Sequence, residues 1–179
     1  HDEHHGKMEI SETDFKELET LKLSNGENFP TLKEYLKQGK KDKSVKLIVE
    51  IKPDKTKEKE DELTAKTIKM IKEMKLESQC EFISFSLNIC KEIKKLAPTF
   101  KVQYLRGELS PEQVKAEGLD GLDYHYSVFL KNPTWIAEAK NLGLVTNVWT
   151  VNDEEVFKQL SEMGVDFVTT NIPDVLSKK

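Results

Sequence analysis

The chain has 179 residues, of which 34% are charged and 37% apolar, with a formal net charge of −4. That length suits one sizeable core and is short for two, so a single domain over residues 1–179 is expected. The acidic balance argues against nucleic acid as a partner, because phosphate backbones demand a basic face, and no apolar run approaches the roughly 18 residues needed to span a bilayer.

Residues 1–39 are polar and irregular at first, then partly helical. Ser11-Glu12-Thr13-Asp14 ahead of Phe15-Lys16-Glu17-Leu18 predicts a helix start capped by Ser11 or Thr13. Asn25-Gly26 marks a turn. Pro30 through Leu36 predicts a short amphipathic helix ended by Gly39, and the lysines from Lys37 to Lys46 predict a solvated loop.

Leu47-Ile48-Val49-Glu50-Ile51-Lys52-Pro53 follows, and its apolar residues predict a strand covered on both faces. Side chains alternate along a strand, so Glu50 and Lys52 share one face. Burying a lone carboxylate is costly unless a cation or hydrogen bonds compensate it. Two readings are open at this point. One is a structural Glu–Lys ion pair at a strand end; the other is a metal-ligating carboxylate beside a lysine placed for an anionic substrate.

The rest of the chain alternates regularly. Glu58 to Leu76 predicts a helix with Leu63, Ile68, Ile71 and Met74 on one face, its Lys-Glu start from Lys55 to Glu62 solvated. Glu81 to Ser86 predicts a strand, and a helix then runs through Ile89, Ile93 and Leu96 to Pro98. Phe100 to Leu105 predicts a strand, Pro111 a helix start, and Leu119 to Tyr124 a weaker strand. Pro133 to Leu142 predicts a helix closed by Gly143, and Leu144 to Val151 a strong strand. Asp153 caps a helix that ends at Gly164, Val165 to Thr170 predicts a strand, and Pro173 to Leu176 a last helical turn. Cys80 and Cys90 lie near one of these strands without zinc spacing, and a disulfide between them is the lesser expectation.

Strands and helices alternating at intervals of about 20 residues are the signature of parallel βα units. An open doubly wound sheet and a closed (βα)8 barrel both fit that alternation. No glycine-rich phosphate loop follows any strand, whereas Glu50, Lys52, Ser84, Tyr104, His125, Asn152 and Thr170 all fall where strands end. In a barrel those ends share the face that carries the active site. The expected fold is therefore α/β, a (βα)8 TIM barrel. Six strands are predicted against eight, and a chain cut at His1 would leave the missing strands upstream.

Several fragments, in order, resemble the glycerophosphodiester phosphodiesterase family, whose members are barrels of the PI-phospholipase-C-like type. His1-Asp2 resembles its second histidine motif, and Pro30-Thr31-Leu32 with Glu34-Tyr35-Leu36 its P-T-L-x-E-x-L segment. Val49-Glu50-Ile51-Lys52 is similar to E-I-K, Ile83-Ser84-Phe85 to I-S-S-F, and Val148-Trp149-Thr150-Val151-Asn152 to W-T-V-N. Gly164-Val165-Asp166 through Asn171-Ile172-Pro173-Asp174 resembles G-V-D-G-I-I-T-D-x-P.

The resemblance implies hydrolysis of a small-molecule glycerophosphodiester to an alcohol and sn-glycerol 3-phosphate with a divalent cation, Mg²⁺ or Ca²⁺. It implies that Glu50 is one of three metal carboxylates, a hard oxygen donor for a hard cation. It implies that Lys52 faces the substrate phosphate and that His1 is one of two acid–base histidines, protonating the leaving alcohol. Beside it stand readings of single residues. Trp149 and Phe85 are candidate apolar walls of the substrate pocket, weighed against ordinary barrel packing. His125 is a candidate pocket residue, weighed against a half-buried histidine bonded to backbone. His4 and His5 beside Asp2 and Glu3 fit a polar loop better than a metal cluster.

The family's H-R-G and P-E-N-T motif and its E-x-D strand are missing from this sequence, and after His1-Asp2 its L-x-R-T-T gives way to Glu3-His4-His5-Gly6-Lys7. The expectation is a barrel whose remaining carboxylates lie upstream, with the 179-residue segment inactive and poorly stable alone. Two alternatives accompany it: a related phospholipase acting on lysolipid diesters, and a non-catalytic barrel that binds a phosphorylated ligand. The short segment after His1 points toward an exported member of the family.

Overall fold

The computed structural model describes residues 7–9, 16–17, 20–24 and 29–170. Its strands are β1 (Lys7–Glu9), β2 (Lys16–Glu17), β3 (Leu21–Leu23), β4 (Val45–Ile51), β5 (Cys80–Ser84), β6 (Lys101–Tyr104), β7 (Gly121–His125), β8 (Val145–Trp149) and β9 (Phe167–Thr169). Its helices are α1 (Phe29–Lys40), α2 (Lys57–Glu73), α3 (Leu87–Leu96), α4 (Pro111–Ala116), α5 (Tyr126–Lys131), α6 (Trp135–Asn141) and α7 (Glu154–Met163). They fall into two compact units, one of residues Phe15–Val102 and one of His1–Asp14 with Gln103–Lys179.

In the first unit β4 pairs in parallel with β5 on one side. On its other side it meets β2 at Val45 and Lys46 and β3 at Val49 to Ile51, again in parallel. Ile48 lies between those two short strands. There the hydroxyl of Tyr35, on α1, stands in for a neighbouring strand: it accepts from the Ile48 N–H at 2.9 Å and donates to the Ile48 carbonyl at 3.1 Å. Ile48 is only 5% exposed, so losing that hydroxyl strands two backbone polar groups. Tyr35→Phe is expected to lower stability by about 1–3 kcal/mol, measured by urea unfolding against the parent.

Several expectations are corrected in this unit. Lys16–Glu17 is a strand rather than a helix start, because pairing with β4 overrides the local cap signal. The lysine run is not one loop: Lys37 and Lys40 close α1, and Lys46 lies within β4. Helix α1 runs through Gly39 instead of stopping at it. A Cβ there would lie 2.8 Å from Leu47 Cγ, so the glycine lets helix and strand approach. Cys80 and Cys90 are buried and form no disulfide. Burial pushes the Cys80 thiol up to about 12 and the fully buried Cys90 thiol well above its ordinary value, which leaves both protonated and unreactive.

In the second unit β6 through Gln103 and Tyr104, β7, β8 and β9 run parallel, and β1 joins β9 antiparallel. The helix signals at Pro111, Asp153 and Gly164 act as read. Ser110 and Gln113 form a capping box with Pro111 in the first turn; Asp153 caps α7, and Gly164 ends it in the left-handed conformation. Helix α5 was not expected from sequence, being a six-residue segment that directly continues β7. Tyr124 anchors the helical side of the sheet, stacking on Phe129 at 5.7 Å and meeting Tyr104 edge-on at 6.4 Å. The predicted Asn25-Gly26 turn, the Ser11–Thr13 cap and the last turn from Pro173 to Leu176 lie outside the described residues.

Candidate active site

Each unit brings part of the expected site to the carboxyl ends of its strands. In the first, Leu47, Val49 and Ile51 take the face toward the helices, since Leu47 meets Gly39 of α1. Glu50 takes the opposite face and is fully buried, at 0% exposure. Register pairs Glu50 with Ile83 of β5 and with Lys22 of β3. Two residues further on, by the same alternation, Lys52 and Phe85 follow just past the strand ends, both half-buried. The structure thus places Glu50 on that face, with Lys52 and Phe85 two residues beyond the Glu50–Ile83 pair, just past the strand ends. Lys22 was missed by sequence reading; Leu21-Lys22-Leu23 alternates as a strand does but is only three residues long. At the amino ends of the same face Lys46 pairs with Glu81 at 3.4 Å.

A polar lattice fixes these strand ends. The Ser84 hydroxyl donates to the Ile51 carbonyl at 2.6 Å and accepts from the Ser86 N–H at 3.0 Å. The Ser86 hydroxyl donates to Glu60 at 2.9 Å and caps α3 by accepting from the Ile89 N–H at 3.1 Å. Glu60 contradicts the expectation of a wholly solvated Lys55–Glu62 segment. It is 7% exposed, while its neighbours Lys59 and Glu62 are exposed.

In the second unit His125 pairs with Trp149 across β7 and β8. Their rings meet edge-on at 5.1 Å. The Trp149 indole N–H donates to the Asp123 carbonyl at 2.8 Å, and Trp149 is 2% exposed. Asp123 pairs in register with Asn147, whose amide donates to Gln103 Oε1 at 2.7 Å. These buried polar residues were also missed. The signal was polar side chains alternating within two strands.

His125 Nδ1 accepts from the Ser127 N–H at 3.1 Å and lies 2.8 Å from the Ser127 hydroxyl. A nitrogen that accepts a backbone N–H carries no proton, so the hydrogen bonds assign the neutral ring's proton to Nε2. Burial acts in the same direction and holds the imidazole below its ordinary 6.5. The folded ring therefore binds fewer protons than the unfolded one as pH falls below 6.5. Its contribution to stability is full above that pH and declines as the pH drops toward the depressed folded value. A ¹⁵N-resolved NMR titration is expected to show His125 neutral and Nε2-protonated at pH 7, titrating below the unfolded value. A pKa at or above the unfolded value would contradict the capping geometry.

His1, His4 and His5 lie outside the described residues. Among the described residues no three His, Cys, Asp or Glu side chains are grouped to hold a metal ion. Glu50 fits as one ligand, a buried carboxylate with hard oxygen donors. No described helix is long and apolar enough to cross a membrane.

Parallel βα units with a carboxylate, a lysine and a histidine at the carboxyl ends of their strands define the class: an α/β chain of the (βα)8 TIM-barrel type. The chain belongs to the glycerophosphoryl diester phosphodiesterase family, whose model matches residues 2–175. A solved glycerophosphodiester phosphodiesterase from Parabacteroides distasonis is 43% identical, with a TM-score of 0.76 over 82% of this chain and 62% of its own. A glycerophosphodiester phosphodiesterase from Caldanaerobacter subterraneus is 30% identical over 62% of this chain and 46% of its own length. A human glycerophosphocholine phosphodiesterase is 30% identical over 48% of this chain and 16% of its own length. The chain thus spans less than half of either curated relative.

Proposed function

We propose that the whole protein hydrolyses glycerophosphodiesters to an alcohol and sn-glycerol 3-phosphate, using a divalent cation, Mg²⁺ or Ca²⁺. The observation that carries this reading is Glu50, a fully buried carboxylate near the carboxyl end of β4, with the half-buried Lys52 two residues further on. Family membership supplies the reaction class.

Glu50 would supply one ligand oxygen. A cation held there would supply charge neutralisation at the phosphoryl oxygens. Lys52 places an ammonium group against a phosphate oxygen and so orients the diester. Water adds to phosphorus, the bond to the leaving alcohol's oxygen breaks, His1 gives that oxygen its proton, and a proton shed by the attacking water restores His1. His125 offers its Nε2–H as a neutral donor, with Trp149 backing its ring, and Phe85 supplies apolar contact to the substrate.

The test is hydrolysis of glycerophosphocholine and glycerophosphoethanolamine by the full-length protein, with sn-glycerol 3-phosphate measured before and after EDTA. Release that EDTA stops and Mg²⁺ or Ca²⁺ restores is expected. Absence of turnover with either cation would sink the reading for these substrates.

A further inference from the structure

Glu60 is a buried ionisable group that the proposed chemistry does not use. It lies in the first turn of α2, yet does not serve that helix's cap. Thr56 already does so, its hydroxyl accepting from the Lys59 N–H at 3.2 Å. The Glu60 carboxylate turns instead to the two loops that follow β4 and β5. One oxygen accepts from the Asp54 N–H at 3.0 Å. The other accepts from the Ser86 hydroxyl at 2.9 Å and from the Asn88 amide at 3.0 Å. Asn88 is itself held by Asp61 at 3.0 Å, and Asp61 by Lys57 at 2.6 Å.

These partners bracket the site residues. Asp54 is two residues after Lys52, and Ser86 directly follows Phe85. A backbone N–H and two side chains thus converge on one anionic group that is 7% exposed. Charge-assisted bonds of this kind are shorter and stronger than neutral ones. A buried carboxylate is worth its desolvation where those bonds are made.

We propose that Glu60 is a positioning residue, locking the loop that carries Lys52 to the loop after β5 so that the lysine meets the substrate phosphate. The proposal rests on the reading of Lys52 given above. A glutamine fills the same space, but its amide donates where the carboxylate accepted. It must then face either the Asp54 N–H or the Ser86–Asn88 pair, and one side of the lock opens.

The test is a double-mutant cycle in the full-length protein with glycerophosphocholine, together with hydrogen exchange of the Asp54 amide. Glu60→Gln is expected to lower kcat/KM by about 10- to 100-fold, the scale of a misplaced orienting group, and to speed exchange at Asp54. In a Lys52→Ala background the same change is expected to alter kcat/KM by less than about twofold, since residues acting through one another are not additive. Equal losses in both backgrounds, or none in either, would overturn the role of Glu60 while leaving Lys52 in place. A silent Lys52→Ala would overturn the reading of Lys52 and the proposal with it. Should Glu60→Gln not fold, Asn88→Ala removes one donor and keeps the carboxylate. Its smaller loss is expected to vanish in the Lys52→Ala background too, and an additive loss there would equally overturn the proposal.

Discussion

Glu50→Gln is expected to reduce hydrolysis of glycerophosphocholine by the full-length protein by about 10³-fold, the equivalent of roughly 4 kcal/mol of transition-state stabilisation. The substitution keeps size and shape, removes the charge and puts an amide donor in place of one acceptor oxygen. Glu50 is 0% exposed in a strand paired on both sides, so an isostere is the one change that leaves the packing alone. A second readout separates cation binding from chemistry. A ligand that binds only the folded state raises the melting temperature in proportion to ln(1 + [L]/Kd). Mg²⁺ or Ca²⁺ is expected to raise the parent's melting temperature and to leave that of Glu50→Gln unmoved. Equal shifts in both proteins would remove Glu50 from the cation site, whatever the activity showed.

What was legible in the sequence followed the strength of local signals. The E-I-K stretch was readable because a charged residue inside a β-branched run obeys strand alternation, and Glu50 does lie buried within β4. Asp153 and Gly164 fixed the ends of α7 by cap chemistry that acts within one turn. Short pieces were not legible. Strands β2 and β3 have two and three residues and exist through their pairing with β4, which no local pattern encodes. Glu60 was misread for a related reason. It stands among lysines and glutamates that are solvated, and only the approach of Ser86 and Asn88, 26 and 28 residues later, buries it. His125 carried no sign of its tautomer, because Ser127 sets that only once the chain turns directly from β7 into α5.

Gly121 opens the strand that sequence reading found weakest, and its apparent fault is a requirement of the sheet. It pairs with Gln103 of β6 and Val145 of β7's other neighbour, β8. A Cβ there would lie 2.5 Å from the Val145 carbonyl oxygen and 3.1 Å from Gln103 Cγ. The oxygen is backbone, so no rotamer change relieves the clash; β7 and β8 must part. Gly121→Ala is therefore expected to destabilise by about 3 kcal/mol, the upper range for forcing extra volume into a packed interior. Gly118→Ala provides the contrast. Its Cβ would meet nothing within 4 Å, and its φ of +81° imposes only backbone strain, for which about 1 kcal/mol is the scale. Urea unfolding of the two variants beside the parent compares steric closeness with backbone strain directly. A Gly121→Ala loss no larger than that of Gly118→Ala would mean that β7 and β8 yield easily at that point. A loss several times larger places the constraint in the approach of two strand backbones, at the start of the strand whose far end holds Asp123 and His125.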